Sequence, residues 1–325
     1  MLELIHNQLR FQFPDVHEDA SCQVEFIRTL RIPDDNRDYP LPPGFDNFPL
    51  DHIDDYEANI PDSWRMHGGI FFPMYQAEAM WINFDGDYPM AIKVATGKMN
   101  AVTGEVWKNE LTRNPQDYLV VPDQPWLDGF CVEKGLIRQF VCMPLGEGFT
   151  AEEQLTGEPK HGGIQIVVYP MKASAYEELS TPASTGLREP NYCKAAPDMG
   201  LAPGGIMRQE IYEDDYGFEV WEQSAKSRCF VHIVNSLQYL ELTGKEPPTK
   251  APSSKQYTDA RLPWFEYYDA DKKALEGSKN LAHLDSVAVN HLKEGKGILQ
   301  GNDPVSPGNI KIIQSGKHLV REGEF

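Results

Sequence analysis

The sequence predicts an α+β fold dominated by antiparallel β-structure, a sandwich or a distorted barrel, with helices mainly in the C-terminal third. Two observations carry this. Between residues 68 and 172, short runs rich in Val, Ile, Phe, Tyr and Trp follow one another, separated by turn-forming residues. Helical signals concentrate after residue 229. The chain has 325 residues, 41% of them hydrophobic, which is enough apolar material to bury a core and offset the entropy of ordering it.

The first clear element is residues 22–32. Cys22, Val24, Phe26, Leu30 and Ile32 share one face, and Gln23, Glu25, Thr29 and Arg31 the other; only Ile27 and Arg28 break the alternation of a half-buried strand. A proline-rich acidic passage, 33–60, comes next. Its prolines exclude a helix or a central strand, so it reads as an extended arm across its own subunit or, preferably, a neighbour. Tyr39, Leu41, Phe45, Phe48, Leu50, Ile53 and Tyr56 give that arm apolar surface to dock.

The strand runs that follow are 68–75, 79–84, 88–95, 98–102, 105–107, 118–121, 126–132, 136–143 and 162–171, with a short helix at 173–180. Residues 180–204, rich in Pro, Gly, Ser and Thr, read as a linker between a β-rich part (1–179) and a mixed part (205–325), although the whole chain also suits one compact unit. In the second part a strand at 229–234 runs into a helix with Asn235 as N-cap and Gly244 past its end. Residues 245–263 read as loop. Residues 279–293 form an amphipathic helix carrying Leu281, Leu284, Ala288 and Leu292, and the tail carries a strand at 310–313. His-Gly-Gly-Ile opens strands at both 67–70 and 161–164.

Charge narrows the function classes. There are 49 acidic against 30 basic residues, net −19, and the first sixty residues hold 13 acidic and 4 basic ones, −9 of that total. Such a field disfavours nucleic acid and anionic membranes as partners. Five scattered cysteines, no N-x-S/T sequon, no leader-like N-terminus and no long apolar run point to reduced thiols and a cytoplasmic protein. No Walker loop, dinucleotide fingerprint, H-E-x-x-H or zinc spacing occurs, and no G-x-S-x-G accompanies His161-Gly162-Gly163. Asp34, Asn36 and Asp38 begin like a calcium loop, but Tyr39 stands where glycine is needed. No metal or cofactor is implied.

Two hairpins hold the candidate site residues. Turning 126–143 at Glu133-Lys134-Gly135 sets Val132 against Leu136, Phe130 against Arg138 and Asp128 against Phe140. Leu127, Cys131, Ile137 and Val141 then face the core. Trp126, Asp128, Phe130, Arg138 and Phe140 share the other face, where Asp128 and Arg138 are diagonal neighbours. They form either a recognition surface or a structural ion pair. Turns at Thr96-Gly97 and Thr103-Gly104 build a meander with Lys93, Lys98, Asn100, Glu105 and Trp107 on one face, either an anion-binding surface or a solvated one. His67, His161 and His232 lack ligand spacing and read as structural histidines; Glu153, beside Glu152, is a candidate general base. Two function classes follow. The preferred one is a non-catalytic binding or assembly protein, homo-oligomeric, with a protein partner or small anionic ligand. The other is an enzyme acting on a small polar or anionic substrate with Asp128, Arg138, Glu153 and His161.

Overall fold

The computed structural model describes residues 1–57, 59–179, 198–268 and 272–314. In chain order the elements are β1 (Leu2–Ile5), β2 (Gln8–Gln12), β3 (Ser21–Thr29), β4 (Asp38–Tyr39), β5 (Gly44–Asn47), β6 (Asp51–His52), α1 (Asp62–His67), β7 (Ile70–Met74), β8 (Ala79–Asp85), β9 (Met90–Thr96) and β10 (Met99–Asn100). Next come β11 (Leu119–Val121), β12 (Trp126–Leu127), β13 (Gly129–Glu133), β14 (Leu136–Pro144), α2 (Ala151–Thr156), β15 (Ile164–Pro170) and α3 (Ala173–Glu178). The remainder is β16 (Asp198–Arg208), β17 (Ser227–Asn235), α4 (Ser236–Thr243), α5 (Ser254–Asp259), β18 (Trp264–Tyr268), α6 (Lys279–Ala282), α7 (Val287–Lys293) and β19 (Ile310–Gln314).

The fold is mostly antiparallel β with short helices, as the strand runs predict. Seventeen strands are linked into one branched sheet, and β18 and β19 form a separate parallel pair. β8 is a central member: it pairs with β3 over Gln23–Thr29 and also with β12 and β14. β16 pairs with β14 and β17, and β17 pairs with β15 and β7, so strands on either side of the 180–204 passage are bonded to each other. Residues 180–197 lie outside the described residues; 198–204 belong to β16, which corrects the linker's far boundary.

Several local expectations are revised. The proline-rich passage lies over its own subunit, the less preferred of the two placements expected. It contributes β4, β5 and β6 to the sheet, and Tyr39, Leu41, Phe48, Leu50 and Ile53 are buried in this chain's own core, which removes the apolar surface invoked for a neighbour. Short strands between prolines supply the donors that the prolines lack. The 279–293 helix is two, α6 and α7, because Ser286 caps a new start through Val289 N; Leu281, Leu284 and Ala288 are buried but Leu292 is exposed. The 245–263 loop contains α5, opened by a Ser253–Gln256 capping box. An unforeseen N-terminal hairpin joins β1 to β2 through His6 and Asn7, both at positive φ. The Asn235 cap and the left-handed Gly244 stand as expected.

The two His-Gly-Gly-Ile segments converge on one strand. Ile164 and Ile70 both register with Val231 of β17, β15 from the antiparallel side and β7 from the parallel side. In the core, Phe72 stacks between Phe26 at 5.1 Å and Phe48 at 4.8 Å and has no exposed surface. Phe72→Ala leaves a cavity shared by β3, β7 and the proline-rich passage. It is expected to cost about 3–5 kcal/mol of stability, measured by urea denaturation.

Candidate functional site

The hairpin of β13 and β14 keeps the Phe130–Arg138 register, but a bulge at Val132 makes the turn two residues, Lys134–Gly135. Its two faces do not divide into core and surface. Phe130 and Phe140 are fully buried and meet edge to face at 4.9 Å. Asp128 and Arg138 part company: Arg138 lies 3.8 Å from Asp34 and donates to the Gly204 carbonyl at 3.2 Å. Asp128 is 3% exposed, its Oδ2 has no hydrogen-bond partner among the described residues, and burial pushes its carboxyl up to about 7 against a hydrogen bond from Trp126. Trp126 is half-buried between Trp81 and Tyr267.

The meander brings Lys93, Asn100 and Trp107 together, but around an internal carboxylate. Its turns are Gly97–Lys98 and 101–104, one step from those expected. Lys93 is 1% exposed; its Nζ donates to Asp117 Oδ2 at 2.6 Å and to the carbonyls of Lys108 and Glu110, and sits 5.3 Å from the Trp107 ring. Asn100 Nδ2 donates to the Asp117 carbonyl at 2.7 Å. All three ammonium protons are therefore committed, and the group fastens residues 108–117 onto β9. Lys98 is exposed and apart from this cluster.

Glu153 is likewise consumed. As the third residue of a capping box it accepts from Gly146 N and Gly148 N on one oxygen and from Thr150 N and Oγ1 on the other. His161 N and Gly162 N donate to Glu152 Oε2, so this His-Gly-Gly turn holds a carboxylate of its own chain. His161, His67 and His232 do share a narrow groove, beside Trp64, which stacks on His232 at 4.5 Å. Burial pushes His232 down to about 4, so its imidazole is neutral. Asp128, Arg138 and Glu153 do not line this groove.

The best-formed constellation lies elsewhere, in a cleft of about 780 Å³ between the β7–β8 turn, residues 250–259 including α5, His291 of α7 and residues 299–301. Its floor is Glu78, 4% exposed. Arg28, on the core-facing parity of β3, donates to Glu78 Oε1 from Nε at 3.1 Å and Nη2 at 2.7 Å, and also to the Thr249 carbonyl. Tyr75 N donates to Glu78 Oε2 at 2.9 Å. Burial nevertheless outweighs Arg28 and raises the Glu78 carboxyl above the usual range. The turn is strained beside it, with Ala77 at φ 62. Arg31 donates from Nη2 to the Gln300 carbonyl, and its Nε and His291 Nδ1 are buried without hydrogen-bond partners among the described residues. Burial pushes Arg31 down to about 10.

Sequence reasoning missed this cleft, although it held one signal: Arg28 occupies a core position in an otherwise clean alternation, which demands a buried counter-charge. No family model, curated protein or solved structure matches this chain.

Asp128 yields a pH prediction. The folded chain keeps its proton where the unfolded chain has lost it, so its stabilising effect is full below about pH 4 and is lost as pH rises through about 7. Asp128→Asn is expected to match the parent at pH 4 and to exceed it by a few kcal/mol at pH 8, read from denaturation midpoints across that range.

Proposed function

We propose that this chain binds a small polar molecule in the cleft above Glu78 and acts on it by proton transfer. One observation carries the reading: a buried carboxyl raised above its ordinary range lines a sizeable cleft beside a strained backbone, the combination expected of a general acid or base. Arg31 and His291 supply the arginine and histidine of a carboxylate–arginine–histidine site, at positions other than Asp128, Arg138 and His161. The net charge of −19 disfavours nucleic acid as the ligand. Four buried free thiols, Cys22, Cys131, Cys142 and Cys229, support a reducing, cytoplasmic setting; Cys193 lies outside the described residues.

A second reading, non-catalytic assembly as a homo-oligomer, is favoured by β19. This strand presents Ile310, Ile312 and Ile313 at 42%, 68% and 40% exposure in a two-stranded sheet, an edge suited to pairing with another copy.

Two experiments test these readings. For the site, thermal-shift screening of the full chain against polar metabolites, followed by hydrogen exchange, is expected to find a ligand that protects residues 28–31, 76–79 and 249–256. Glu78→Gln should retain that binding and lower turnover by about 100-fold or more, removing a pH limb above the ordinary carboxylate range. Protection confined to other segments would end the reading. For assembly, light scattering should show a dimer or larger species that Ile312→Lys converts to monomer; a parent monomeric at micromolar concentration would sink it.

A further inference from the structure

Two cations of the cleft stand outside its ion pairs among the described residues. Of the ionised side chains around it, Glu78 is matched by Arg28 and Asp259 by Lys255 at 2.7 Å. Arg31 and Lys250 also line it, and neither has a carboxylate within 4 Å among the described residues. Asp34 acts on Arg31 and Glu78 on Lys250 only from beyond contact distance, and in a chain of net charge −19 two cations without an ion pair at one cleft are an unusual concentration.

The two β3-region arginines differ in how far their donors are met. Arg28 spends its Nε and Nη2 on Glu78, with a carbonyl also held by Nη2. Arg31 likewise holds a carbonyl on Nη2, that of Gln300, but its Nε has no acceptor. A guanidinium removed from water costs free energy unless its charge and donors are met. His291, on the facing helix, adds a second buried nitrogen without a partner. The geometry points to a ligand carrying a carboxylate, seated against the Nε edge of Arg31 with Lys250 and His291 beside it.

This assignment rests on the reading of the cleft as a binding site and names the class of molecule that enters it. A planar carboxylate matches the fork of a guanidinium, and Arg28 already holds one in this region, both its Nε and its Nη2 donating to Oε1 of Glu78. Glu78 then lies at the floor, placed to exchange a proton with the remainder of the molecule.

The test uses the full chain and malonate as probe, with inorganic phosphate and putrescine as comparisons. Calorimetry is expected to show saturable malonate binding, stronger than phosphate, with no binding of putrescine. Arg31→Met should weaken malonate by about tenfold or more, and Arg31→Lys by less. Lys250→Met, at an exposed position, should weaken it severalfold even if Arg31→Met fails to fold. Phosphate binding more tightly than malonate, putrescine protecting the cleft, or malonate affinity unchanged in Lys250→Met and Arg31→Lys would each overturn the assignment. A neutral or cationic ligand footprinted to residues 28–31 and 76–79 would overturn the carboxylate class and leave the cleft as a site. Malonate footprinted to other segments would overturn both.

Discussion

The guanidinium of Arg28 lies among the core side chains of β3, between the Glu78 carboxylate and the Thr249 carbonyl, with the Phe48 ring 5.7 Å away. Three separate parts of the chain meet at this one cation: the β7–β8 turn, the segment before α5 and the proline-rich passage. Removing either charge leaves the other buried and unpaired, typically a loss of about 3–5 kcal/mol. A hydrophobic pair would hold the sheet as well, but it would not present to the floor of a cleft a carboxyl that burial raises above its ordinary range. Here the pair also fixes where that carboxyl stands in the cleft.

Other buried charges follow a different logic. Lys93 fills its three donors with Asp117 and two carbonyls, and Glu153 fills both oxygens with four donors. Each closes a loop onto the sheet and leaves no capacity for a ligand. Arg31 keeps an unmet donor, and Glu78 keeps a carboxyl that burial disfavours ionising. The contrast between satisfied and unsatisfied groups separates scaffold from candidate site more sharply than residue type does.

Much of the fold was legible in the sequence because it depends on local periodicity and turn chemistry. β3, β7, β8, β9, β14 and β15 follow their alternating or apolar runs, and α4 follows Asn235 and Gly244. The proline-rich passage was misjudged because its strands are two to four residues long and stand only by pairing with distant partners. The constellation expected at Asp128, Arg138, Glu153 and His161 does not come together, because its members lie on separate elements with partners of their own. Asp128 and Arg138 look like partners in one hairpin, yet the carboxylate that meets Arg138 is Asp34, about a hundred residues earlier and invisible to local pattern. Arg28 was visible as an exception to alternation, but nothing nearby in sequence names Glu78 as its counter-charge.

The cleft's two lips are joined to the β3 region across 221 residues at Thr249 and 269 at Gln300, the second reinforced by a reciprocal pair of hydrogen bonds between Asn302 and Asp34. Contacts of such high sequence separation carry a large loop-closure cost and tend to form late, after the sheet beneath them has condensed. The cleft is therefore complete only when the C-terminal quarter of the chain has packed against the sheet, so the order in which its walls arrive is set by chain topology and not by local propensity.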